Sequence, residues 1–88
     1  MAVNSGKASK EVVSKLISDM ETFSGNVKDE MKKILVETIN LEQSWKDVQY
    51  KRFRETTVEM LTVMQQQLKV FDESTERIKE KYTQLFGR

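Results

Sequence analysis

A seven-residue apolar repeat runs through the first half of the chain, and its members are Val13, Met20, Val27, Ile34 and Leu41. Further apolar residues flank this column, namely Leu16, Ile17, Phe23, Met31 and Trp45. Seven residues make almost two turns of an α-helix, so residues at this spacing share one face. The pattern predicts an amphipathic helix over about residues 8–42, whose apolar stripe is wider than a strict coiled-coil seam.

The second half of the chain carries the same repeat. Its column, apolar except at one threonine, consists of Tyr50, Thr57, Met64, Phe71, Ile78 and Leu85. The flanking apolar or aromatic residues are Phe53, Met60, Leu61, Leu68 and Tyr82. This pattern predicts a second helix over about residues 48–86, with Gly87 well placed to end it.

The connection between the two helices is predicted to be short. The chain has no proline and only three glycines, which permits long helices. Ser44 and Asp47 are both suitable N-caps for the second helix, because a short side-chain oxygen can accept from the free amides of the first turn. We therefore expect a turn at about residues 43–47, and a short turn makes the helices antiparallel neighbours. Ser24-Gly25-Asn26 is a possible break in the first helix, although a continuous or slightly kinked helix is favoured.

The fold class predicted is thus all-α: residues 1–88 form one antiparallel two-helix hairpin that completes a four-helix bundle by dimerisation. The dimerisation follows from the width of the stripes, because two helices cover each other only in part and a second hairpin can bury the remainder. The residues assigned to the helix–helix interface are Leu16, Met20, Phe23, Val27, Ile34, Phe53, Met60, Met64, Phe71 and Ile78.

Composition narrows the range of functions. Fifteen basic and fourteen acidic residues leave a formal charge of +1, whereas dedicated nucleic-acid binders carry a strong basic excess. The absence of Cys and His excludes zinc sites of the Cys/His type and catalytic triads that use either residue. No segment reaches the ~18 apolar residues of a membrane span, and residues 1–7 precede no apolar core of signal-peptide type. We expect a protein-binding module without cofactor or metal, rather than an enzyme.

Two acidic residues, Glu30 and Glu37, lie one heptad apart at the edge of the first apolar stripe. Inward carboxylates of helical bundles can bind two metal ions, but that design uses Glu-x-x-His pairs and this chain has no histidine. The favoured interpretation is a salt bridge from this edge to a partner helix.

The only tryptophan, Trp45, falls beside the predicted turn. One interpretation is a plug that packs across the end of the hairpin, with its indole N–H bonded to the loop. The other is an exposed anchor for a partner, since tryptophan is enriched at binding hot spots. The two interpretations are compatible.

A small helical hairpin with a tryptophan at its turn and no cleavable signal resembles the Trp-x-Gly ("WXG") family. These are the early-secreted-antigen-like proteins exported by type VII secretion systems. The resemblance covers roughly residues 8–86, and the motif reads Trp45-Lys46-Asp47, with Asp47 in place of the family's glycine. Many family members also carry a Tyr-x-x-x-Asp/Glu export signal after the second helix, whereas here Tyr82 is followed four residues later by Phe86.

The resemblance implies a divergent relative that is itself secreted or that escorts a larger secreted effector. It implies a partner that is another small helical protein, or the helical domain of the effector, in a homodimer or heterodimer. The expected location is secreted without a cleavable signal peptide, or cytoplasmic before export. An alternative is a filament subunit such as a secretion needle protein, although the turns of those hairpins typically contain proline. A generic coiled-coil interaction domain is a further alternative.

Overall fold

Two long helices make up nearly all of the described chain. The structure, a computed structural model, describes residues 6–87, with side chains from residue 9 onward. Residues 1–5, on which part of the signal-peptide expectation rests, and residue 88 lie outside the described residues. Helix α1 is Gly6–Leu41 and helix α2 is Val48–Phe86, and the described residues include no strand. The all-α hairpin predicted from the seven-residue repeats is confirmed.

Helix α1 continues without interruption through Ser24-Gly25-Asn26. A helical glycine costs only ~1 kcal/mol relative to alanine, and the apolar repeat stays in register on both sides of Gly25. A Cβ added at Gly25 would meet no atom within 4 Å. The glycine is therefore tolerated in an exposed stretch of helix and does not break it.

The turn closes through backbone hydrogen bonds on one side and a side-chain cap on the other. The N–H groups of Glu42, Gln43 and Ser44 donate to the carbonyls of Ile39, Asn40 and Leu41 at 3.0–3.1 Å. Asp47 then accepts from the Tyr50 N–H at 2.9 Å, which satisfies one free amide of the first turn of α2. Of the two residues suited to cap α2, Asp47 occupies the N-cap position.

Tyr50 connects the first turn of α2 to the last turns of α1 by a hydrogen bond. Its hydroxyl donates to the Thr38 carbonyl at 2.8 Å, and the tyrosine is only 3% exposed. The same residue therefore joins the Asp47 cap to α1, and this arrangement fixes the angle at which α2 leaves the turn.

The seam between the helices has a thin and partly polar interior. Within the described residues, five are buried: Ser24, Thr38, Tyr50, Leu68 and Thr75. The Ser24 hydroxyl donates across the seam to Asp72 at 2.6 Å, and the Thr75 hydroxyl donates within α2 to the Phe71 carbonyl at 3.1 Å. Only two of the five, Tyr50 and Leu68, are hydrophobic. Most other residues of the two apolar stripes are half-buried, and the rest, such as Phe23 and Met60, are exposed.

The hairpin is long and flat, with principal extents of 60, 26 and 16 Å. Neither α1 nor α2 contains a stretch long and apolar enough to cross a membrane within the residues described.

Substituting Gly25 should stabilise the hairpin. Because its Cβ position is open and the residue is helical, Gly25→Ala should raise the free energy of unfolding by about 1 kcal/mol. Thermal or urea unfolding followed by circular dichroism measures this difference. A loss of stability would show that α1 requires a flexible point at this position.

Candidate interaction surface

The hairpin has two broad faces, and a ring contact identifies the first. Phe23 of α1 and Phe71 of α2 meet edge to face with ring centroids 5.4 Å apart, so the heptad columns that contain them lie on the same side of the seam. One neighbouring column on each helix belongs to the same surface: that of Met20 and Val27 on α1, and that of Phe53 and Met60 on α2. We call it the apolar face; its apolar members are Leu16, Met20, Phe23, Val27, Ile34, Leu41, Phe53, Met60, Met64, Phe71, Ile78 and Leu85.

Ion pairs identify the opposite side of the seam. Lys28 lies 2.8 Å from Asp72, and Lys79 lies 2.9 Å from Glu21. Lys28 is one helical turn beyond the seam residue Ser24, and Asp72 also accepts the Ser24 hydroxyl. We call this side the charged face. Both ion pairs that join α1 to α2 within the described part of the chain lie on the charged face.

The cross-helix ion pairs shift the acid–base equilibria of their members. The Lys28 ammonium, and then the Ser24 hydroxyl, donate to Asp72 and hold the pKa of its carboxyl below the ordinary value. The Glu21 carboxylate, with a further contribution from Glu76, raises the pKa of Lys79. The charged form of each group is therefore favoured by folding, although solvent exposure keeps the effect small.

A groove of about 1020 Å³ runs along the charged face. Its apolar floor consists of Met31, Leu35, Val58, Leu61 and Leu68. Its rim is polar and carries both signs of charge, including Lys32, Lys69, Glu73 and Glu76. Met31, Leu61 and Leu68 are among the apolar residues that flank the two predicted columns, but Leu35 and Val58 are not, so the sequence analysis did not predict this groove.

The apolar face is largely uncovered. The ten residues that the sequence assigned to the helix–helix interface all lie on it, and six of them are exposed, by 42–59%: Leu16, Phe23, Ile34, Phe53, Met60 and Met64. Met20, Val27, Phe71 and Ile78 are half-buried. None of the ten is among the five buried residues of the seam, so their role at an interface beyond the hairpin stays a prediction.

Trp45 closes the turn end of the apolar face. Its indole stacks on Phe53 with centroids 6.1 Å apart and packs against Tyr50 at 6.0 Å, and the residue is half-buried. Hydrogen bonds, chiefly from the Tyr50 N–H and also from the Trp45 side chain, hold the pKa of Asp47 below its ordinary value. The turn motif of Trp45 and Asp47 thus forms one unit with the first turn of α2.

The last turn of α2 carries an aromatic pair. Tyr82 and Phe86, one turn apart, have ring centroids 5.3 Å apart. Both are half-buried, and they border a shallow pocket lined by Lys10, Ser14 and other residues of α1. The position at which a Tyr-x-x-x-Asp/Glu signal would place its acid is therefore occupied by a ring that packs at the open end of the hairpin.

Comparison of the chain with protein-family models, with curated proteins and with solved structures finds no match. Among the described residues, no group of three or more His, Cys, Asp or Glu side chains is arranged to hold a metal ion. The geometry and chemistry of the two faces therefore supply the observations on which a function can be argued.

Truncating Trp45 should destabilise the hairpin. A buried tryptophan costs ~3–5 kcal/mol on truncation to alanine, and half-burial reduces the expected loss for Trp45→Ala to about 2 kcal/mol. Denaturant unfolding measures the loss, and Trp45 fluorescence should shift to the red on unfolding. A wild-type emission that is already solvent-like, together with an unchanged stability, would show that Trp45 acts only as an exposed anchor.

Acid should weaken the hairpin, in part through Asp72. Because the folded-state pKa of Asp72 is lowered, its contribution is complete above the ordinary value of 3.8 and is lost as the pH falls through the folded value. We expect the thermal midpoint to drop below about pH 4. Asp72→Asn should lower the midpoint at pH 7 and flatten this dependence, whereas Asp29→Asn, on the outer face of α1, should do neither. Identical pH profiles for the wild type and Asp72→Asn would contradict the assignment.

Proposed function

We propose that this protein works by binding another helical protein through its apolar face, and that it is not an enzyme. The observation that supports the proposal is the exposure of six of the ten predicted interface residues, all of them large apolar side chains on one side of a two-helix hairpin. Contiguous apolar patches are uncommon on soluble monomers and usually mark an interaction site. The charged face, with its cross-helix ion pairs, supplies the solvent-facing side that such an assembly needs.

Burial of these exposed side chains supplies a large part of the free energy that association requires. Complete burial of a large apolar side chain contributes about 1.5–3 kcal/mol, so covering the exposed half of one contributes ~1 kcal/mol. Six such side chains on each of two partners offset much of the estimated 4–15 kcal/mol cost of association. A four-helix bundle is the arrangement that covers a face of this shape, because each helix then has two neighbours.

A more specific proposal names the cellular process in which the protein binds its partner. The resemblance to the Trp-x-Gly hairpins supports a role in type VII secretion, as a secreted protein or as the escort of a larger effector. Asp47 caps α2 in the structure, so a hairpin of this kind is compatible with Asp in place of glycine. Deleting the secretion ATPase of the native host should then abolish export of the protein or of its partner. Export that is unchanged in that strain would exclude this setting and leave the binding role intact.

A single charge on the apolar face should disrupt the assembly. Met64 is 43% exposed there, and burying an unpaired ammonium is strongly unfavourable. Met64→Lys should therefore reduce the mass measured by light scattering to that of one 10.3-kDa chain at concentrations where the wild type is assembled. The matched control is Val36→Lys, because Val36 is 50% exposed on the outer side of α1, opposite the buried seam residue Thr38.

Circular dichroism of both variants separates dissociation from unfolding. Loss of mass in Met64→Lys with helicity retained, and no change in Val36→Lys, supports the proposal. A wild type that is monomeric at every concentration, and that is isolated from its native host without a bound protein, would contradict it.

A further inference from the structure

We draw no further inference here: the strongest candidate, the groove on the charged face with its apolar floor, has a rim that carries charges of both signs, so nothing in the structure shows what covers it.

Discussion

Two helices can hide only the narrow strip along which they touch. That geometric constraint governs the rest of this structure, because each helix here carries an apolar stripe wider than one seam. The seam itself is formed largely by small or polar residues, with Ser24, Thr38 and Thr75 buried alongside Tyr50 and Leu68. Larger apolar side chains such as Phe23 and Met60 consequently remain outside it. The hairpin is held by its turn and its cross-helix contacts, and it leaves side chains such as Phe23, Met60 and Met64 exposed on one side.

The cross-helix ion pairs and the exposed apolar side chains lie on opposite sides of the hairpin. The ion pairs Lys28–Asp72 and Lys79–Glu21 lie on one side of the seam, where long charged side chains also cover apolar surface beneath them. The other side carries exposed apolar residues such as Phe23 and Met60, with the exposed charges Glu30 and Glu37 on α1 and Lys81 on α2. The flat hairpin therefore has one face with cross-helix ion pairs and one face with exposed apolar side chains, and the proposed binding function uses the second.

The sequence was sufficient to predict the architecture. A repeat of seven residues in each half and the short segment around Asp47 indicated two antiparallel helices, and hydrophobic periodicity carries this information directly. It was not sufficient to predict which part of each stripe forms the seam. Ser24 and Thr38 do not stand out by hydrophobicity, and their burial follows from the rotation of α1 against α2, which depends on tertiary contacts such as Tyr50–Thr38 and Ser24–Asp72. The groove floored by Leu35 and Val58 escaped prediction for the same reason.

The most direct test of this account is the solvent accessibility of Met60 as a function of protein concentration. Met60 is 59% exposed in the single hairpin, so any protection of its thioether must come from another chain. Hydroxyl-radical footprinting with mass spectrometry should show Met60 oxidation slowing as concentration rises, while Met31, on the side of the charged-face groove, keeps a constant rate. Equal rates for Met60 at all concentrations, in a chain that remains fully helical, would contradict the prediction that the hairpin completes a four-helix bundle by dimerisation.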